Sequence, residues 1–156
     1  FKPGEQNFLI LGSGEKHIEH ALLHLEDQFK GNYCSHIGYN EKLSHLIYAG
    51  ADFLLMPSLV EPCGLNQMYA LRYGTIPIVR RTGGLRDTVT DIGDHGFGVC
   101  HDQCTISDVT HAIHRAKLIC QEKRTFKRIR KQIMEIDHSW NRAALEYIGL
   151  YQSLKL

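Results

Sequence analysis

Glu61, Cys63 and Gly64 fall close together in one short polar stretch, and Thr82-Gly83-Gly84 opens the next. A carboxylate can hold sugar hydroxyls or act as an acid or base, and a thiol is a latent nucleophile. Glycines let a ligand approach the backbone. If a helix starts just after Gly64, its unpaired N–H groups and positive end suit a phosphate. The combination reads as a site for a phosphate-bearing ligand with Glu61 beside it. The plainer reading of the same residues is a pair of ordinary βα loops with one stray acid.

The flanking pattern positions these residues. Asp52 to Met56 is a short apolar run, too short for a helix, and reads as a buried strand ended by Pro57. Ser58 to Gly64 is the loop, Leu65 to Tyr73 a helix, and Ile76 to Arg80 a second buried strand with the Gly-Gly turn at its carboxyl end. Both loops therefore sit at the carboxyl ends of adjacent strands, where open parallel α/β sheets bind ligands.

Upstream, Asn7 to Leu11 reads as a strand, with Gly12-Ser13-Gly14 as its turn and Ile18, Leu22, Leu25 and Phe29 as one helical stripe. The third glycine of a dinucleotide fingerprint is replaced by His17, which argues against a Rossmann oxidoreductase. Cys34 to Ile37 is a further strand, followed by the Gly38-Tyr39-Asn40 loop and a short helix that Gly50 stops. Downstream, Leu85 to Val89 reads as a short helix and Asp91 to His95 as a polar loop. Gly96 to Val99 follows as a last strand. Thr105 and Asp108 have capping-box spacing before a helix whose apolar side is Ile106, Val109, Ile113, Ala116 and Cys120. Ser139 can cap a final helix carrying Trp140, Ala143, Ala144, Tyr147, Leu150 and Leu154.

Composition narrows the function classes. The 156 residues suit one domain with a proper core, and 43% apolar with 22% charged residues is ordinary for a globular protein. A formal net charge of +1 selects neither nucleic acid nor an anionic membrane surface. The basic stretch Arg115 to Lys131 has only Phe126 as aromatic company and reads as a solvated helix face rather than a nucleic-acid patch. No apolar run approaches a membrane span, and no leader is visible. Five scattered cysteines read as reduced thiols, so the expected compartment is the cytoplasm. His17, His20 and His24 share a helix without a carboxylate or cysteine in register. Cys100, His101 and Cys104 with His111 and His114 fit no usual zinc spacing, so no metal is expected. Cys63 reads as a polar lining residue more readily than a nucleophile, because no histidine lies nearby in sequence.

The run PSLVEPCGLNQMYALRYGTIPIVRRTGGLRDTV resembles, without a gap, the donor-site signature of bacterial glycogen synthases and plant starch synthases. That group is glycosyltransferase family 5, where the motif is usually PSRFEPCGLTQ followed by LRYGTxPVVRRTGGLxDTV. The LxGSG opening, IGYN, GF at Gly96-Phe97 and DHSW before the last helix are similar to it as well. The resemblance implies a Rossmann-like, doubly wound parallel α/β fold. Residues 1–156 would be most of the carboxyl-terminal, nucleotide-sugar-binding domain of a GT-B glycosyltransferase. The implied reaction is transfer of glucose from ADP-glucose to the non-reducing end of an α-1,4-glucan, with retention and without a metal or other cofactor. UDP-glucose as donor and a non-catalytic binding module are the alternatives.

Carried over residue by residue, the resemblance implies that Glu61 hydrogen-bonds the donor glucose and that Tyr39 stacks on adenine. Gly64 and Leu65 would hold the distal phosphate through their amides. Cys63 would line the sugar pocket, and Thr82, Gly83 and Gly84 would border glucose and phosphate. Asn66 stands where the family has Thr, with phosphate contact still possible, and Leu59 and Val60 replace an arginine and an aromatic. Tyr69 stands where the wider GT-B pattern has a second glutamate, as is usual in this family.

The family's first strand, with the Arg and Lys that clamp the diphosphate, and its amino-terminal domain have no counterpart in the chain. In strand order 3-2-1-4-5-6 that first strand is central. The strands at Asn7 and at Asp52 should then each show an unpaired edge. These edges would be filled by residues ahead of Phe1 or by a second copy of the chain. On this expectation, the chain alone is inactive.

Overall fold

Short β-branched and apolar runs alternate with amphipathic stretches, and the chain folds accordingly into parallel strands with helices between them. The computed structural model describes residues 6–154, so the Phe1 to Gly4 opening lies outside the described residues. The elements run β1 (Phe8–Gly12), α1 (Lys16–Gln28), β2 (Tyr33–Ile37), α2 (Glu41–Gly50), β3 (Phe53–Met56), α3 (Asn66–Tyr73), β4 (Ile76–Arg80) and α4 (Gly83–Thr88). A 3₁₀ turn (Ile92–Asp94), β5 (Val99–His101), α5 (Ile106–Gln121), α6 (Lys123–Met134) and α7 (Trp140–Ser153) complete them.

Strand pairing divides the chain into two compact units, Phe1–Gly50 and Ala51–Leu156, where length suggests one domain. In the first, β1 pairs in parallel with β2, from Phe8 opposite Tyr33 to Gly12 opposite Ile37. In the second, the order is β3-β4-β5, all parallel. Among the described residues β1 has a neighbour on one side only, and so has β3, as the doubly wound order leads one to expect. The fold class is the expected parallel, Rossmann-like α/β.

The apolar core of the second unit gathers around β4, in which Ile76, Pro77, Ile78 and Val79 are all buried. Ile76 packs with Leu71, Ile129 and Ile133, which joins α3 and α6 to the sheet. Ile78 packs with Val99, Ala112 and Ala116 of β5 and α5. Val79 faces the other way, into Met56, Leu85, Val89 and Cys100. This alternation along a strand covered on both faces explains its unbroken apolar sequence.

Several boundaries differ from the sequence reading, each for a local reason. The last strand starts at Val99 rather than Gly96 and runs to His101, because Gly96 to Gly98 makes turn bonds to Thr90 and Asp91 and only a single bridge from Gly98. The short helix starts at Gly83, so the Gly-Gly pair forms its first turn. The basic stretch breaks at Glu122 into α5 and α6, and the exposed side of α6 carries Lys123, Arg124, Lys127, Arg128 and Lys131 while Ile129 and Ile133 are buried. Ile106, expected on the buried side of α5, is 89% exposed. The Thr105 cap forms, but Asp108 reaches back to the N–H groups of Asp102 (3.0 Å) and Gln103 (2.6 Å) instead of the usual reciprocal partner, the Thr105 N–H. The final helix forms, yet only Ala143 of its expected apolar stripe is even half-buried.

One buried carboxylate fixes the β5 end of the sheet. Asp91 accepts from Arg115 Nη2 (2.6 Å), Cys100 N–H (2.6 Å) and Gly93 N–H (2.7 Å). Burial pushes its pKa up, but Arg115 and the two amides outweigh this and hold the carboxyl below its ordinary range. Its stabilising contribution is therefore full above about pH 4 and is lost as pH falls through the lowered folded value. Asp91→Ala should cost about 2–3 kcal/mol at neutral pH, since Arg115 keeps some access to water. The gap from wild type in denaturant melts should close as the pH drops below about 4. Beside it, burial and then the Asp91 charge push the Cys100 thiol up to about 11. In the native protein at pH 8, iodoacetamide should modify exposed Cys34, Cys63 and Cys104 and leave Cys100 intact by peptide mass mapping.

Candidate nucleotide-sugar site

Because Met56 of β3 lies in register with Val79 of β4, the chain leaves the sheet at neighbouring points and two βα loops emerge side by side. The loops meet backbone to backbone. Gly84 N–H donates to the Glu61 carbonyl at 3.1 Å. A Cβ at Gly83 would overlap that same carbonyl oxygen, and one at Gly84 would overlap the Cys63 carbonyl. Sequence reading has these glycines admit a ligand. In the fold the space each side chain would take is filled by the neighbouring loop.

Glu61 is half-buried, and Ser58 Oγ approaches its Oε2 at 3.4 Å. Leu59 and Val60 just before it are exposed. The loop is held from outside the motif as well. Arg80, at the end of β4, donates to the carbonyls of Leu59 (2.7 Å), Ser58 (3.5 Å) and Asp102 (2.9 Å). Cys104 Sγ donates to the Pro57 carbonyl at 3.1 Å. Cys63 is exposed and its thiol contacts the Gly64 carbonyl at 3.5 Å, with no base among its described partners.

Gly64 adopts φ +72°, a conformation that favours glycine, and a Cβ there would lie 2.6 Å from Gln67 Oε1. Leu65, half-exposed, is the residue that opens α3, and no side chain caps that helix. Asn66 is exposed in its first turn. Thr82 opens α4 with its carbonyl accepting from Leu85 N–H at 3.1 Å, again without a side-chain cap. The contrast with α1 is chemical. There the buried Glu19 carboxylate already takes the Gly14 N–H (3.0 Å) and Lys16 (3.0 Å), bonds that hold its pKa low. The helix start of the first G-x-G loop is thus satisfied from within, as a structural turn.

Tyr39 lies in the other unit, in the loop after β2. It is 87% exposed, so it is no half-buried packing residue within that unit, and Asn40 beside it caps α2 by accepting from Leu43 N–H at 2.9 Å. Glu61, Cys63, Gly64, Leu65, Asn66, Thr82, Gly83 and Gly84 all lie in the second unit, on the two loops and the helix starts they lead into. Two residues that sequence reading passed over hold them there: Arg80, whose only signal is its place in the RRTGG run, and Gln67, fully buried one position past Asn66. Among the described residues no group of three or more His, Cys, Asp or Glu stands together as metal ligands, and no helix is long and apolar enough to cross a membrane.

The family model for glycosyl transferases group 1 matches residues 3–132. A glycogen synthase of Flavobacterium johnsoniae is 59% identical over 147 residues, which is 94% of this chain and 31% of that protein. A glycogen synthase of Rhodospirillum rubrum is 46% identical over 153 residues, 97% of this chain and 32% of that one. The solved catalytic domain of starch synthase IV from Arabidopsis thaliana, bound to ADP and acarbose, superposes with a TM-score of 0.83 at 38% identity, over 94% of this chain and 32% of that chain. Sucrose-phosphate synthase from Thermosynechococcus elongatus shares the fold at a TM-score of 0.67 and 21% identity, covering 94% of this chain and 38% of that chain. The chain spans about a third of the length of the glycogen synthases it matches. With most of its length inside that model, and with the loops arranged as described, the chain belongs to the glycosyl transferases of group 1.

Proposed function

We propose that residues 1–156 are part of the carboxyl-terminal, nucleotide-sugar-binding domain of a glycogen or starch synthase of GT-B architecture. The reaction it serves is retaining transfer of glucose from ADP-glucose to the non-reducing end of an α-1,4-glucan, without a metal or other cofactor. The whole enzyme works in the cytoplasm, with an amino-terminal GT-B domain as the partner of this one. The chain by itself is inactive, and its strands β1 and β3, each with one neighbour among the described residues, offer pairing edges to a second copy.

The observation that carries this reading is the pair of adjoining loops, with Glu61 on one and the uncapped start of α3 directly after it. The ADP and acarbose named with the Arabidopsis starch synthase support a nucleotide and a glucan as the ligands. In this scheme Glu61 accepts from hydroxyls of the donor glucose and Cys63 lines the sugar pocket. Gly64 and Leu65 donate their amides to the distal phosphate, with Asn66 in reach of it, and Thr82, Gly83 and Gly84 border glucose and phosphate. Tyr39 offers a free ring face to the adenine. Charge grows on the leaving diphosphate as the glycosidic bond breaks, so fixed donors at a helix start stabilise the transition state more than the bound donor.

Titration calorimetry of the chain and its Glu61→Ala variant with ADP, ADP-glucose and UDP-glucose tests the reading. ADP and ADP-glucose should bind in preference to UDP-glucose. The variant should weaken ADP-glucose by about tenfold, the loss of one or two charged hydrogen bonds, and leave ADP unchanged. Preference for UDP-glucose would overturn the donor assignment, and equal loss of ADP and ADP-glucose would remove Glu61 from the sugar.

A further inference from the structure

Gln67 is a carboxamide with 0% exposure in the first turn of α3, where an apolar side chain of similar size would fill the space with no polar group to satisfy. Its Nε2 donates to the carbonyls of Gly64 (2.9 Å) and Cys63 (3.2 Å) and reaches Thr88 Oγ1 at 3.1 Å. Thr88 in turn donates its hydroxyl to the Gly84 carbonyl at 2.6 Å, which leaves its oxygen lone pairs to accept from Gln67, whose two N–H groups are shared among the three acceptors. These bonds fix the amide's orientation, because turned over it would set Oε1 against two carbonyl oxygens. Oε1 is buried with no partner among the described residues. An acceptor left unsatisfied in the interior is a cost that packing alone does not explain.

The bonds made by Nε2 have a second effect, on the peptide units whose carbonyls they hold. In a trans peptide the N–H points away from the C=O of the same unit, and the described chain holds no cis bond. Drawing the Cys63 carbonyl towards Gln67 therefore turns the Gly64 N–H away from it. Drawing in the Gly64 carbonyl does the same for the Leu65 N–H. No described residue accepts from either amide. The two N–H groups are thus aimed as a pair, and Gly64 at φ +72° with no Cβ is what lets the Gln67 side chain lie beneath them.

We infer that Gln67, braced by Thr88, is the positioning residue that turns the Gly64 and Leu65 amides towards the terminal phosphate of a nucleoside diphosphate. It acts from inside the protein and touches no ligand. The inference rests on the phosphate role proposed above for those amides.

Inorganic pyrophosphate is the probe, followed through the ¹⁵N–¹H signals of Gly64 and Leu65 in the wild-type chain, in Gln67→Met, which keeps the length and loses both donors, and in Thr88→Val. Both wild-type signals should move with pyrophosphate. Gln67→Met should weaken that response by about tenfold or more and Thr88→Val by a few-fold, in spectra that otherwise keep the dispersion of a folded protein. A purely structural role would lower the unfolding midpoint while leaving the pyrophosphate affinity of the folded variants at the wild-type value, and that result overturns the inference alone. If Gln67→Met does not fold, Thr88→Val decides by the same criterion. If neither pyrophosphate nor ADP moves the two signals in the wild-type chain, the phosphate reading itself fails and the inference falls with it.

Discussion

The close approach of two backbones governs the site. Glu61 and Gly84 belong to different βα loops, yet they share a hydrogen bond at 3.1 Å with no side chain between them. Only a residue without a Cβ fits at Gly83 and Gly84, so the geometry of the acidic loop is decided by the sequence of the other loop. Parallel pairing of β3 with β4 brings the loops level, and the glycines let them close. The carboxylate side chain is then presented by a main chain that is itself clamped.

Arg80, the last residue of β4, and Arg81 directly after it divide the remaining work. Consecutive side chains leave a strand on opposite sides. Arg80 gathers the carbonyls of Ser58, Leu59 and Asp102, while Arg81 pairs with Asp102 at 3.1 Å and Asp94 at 3.5 Å, near buried Asp91. One cation therefore holds the acidic loop to the sheet, and the other holds the turn before β5. Asp102 serves both through different atoms, its main-chain carbonyl and its carboxylate.

What the sequence discloses follows from how local each constraint is. β4 reads off with its full bounds because a strand buried on both faces is a continuous apolar run ended by charge. The helix after Gly64 and the caps at Thr105 and Ser139 read off because capping acts within a few residues. The family resemblance covers the loops for the same reason, an uninterrupted motif. The purpose of Gly83 and Gly84 does not read off, since the atoms that exclude a Cβ there lie about twenty residues earlier in the chain. The inward turn of Gln67 does not read off for a like reason: a polar residue at a helix start usually faces water, and only the fold shows it turned onto Thr88. The late start of β5 depends on turn bonds to Thr90 and Asp91, and the exposure of Ile106 depends on which side of α5 meets the sheet.

The first unit differs from the second in what it hides from water. Among its described residues Glu19 alone is buried, and no apolar side chain is. A two-stranded sheet with helices but no closed apolar centre has little to resist local opening. The second unit, with β4 covered on both faces, holds every buried apolar side chain among the described residues. Opening of β1, α1 and β2 should therefore take less free energy than global unfolding, and their amide protons should exchange faster than those of β4. Tyr39 rides on the segment that opens first, so any ligand that grips its ring adds order as well as affinity, and part of its binding free energy is spent on that ordering.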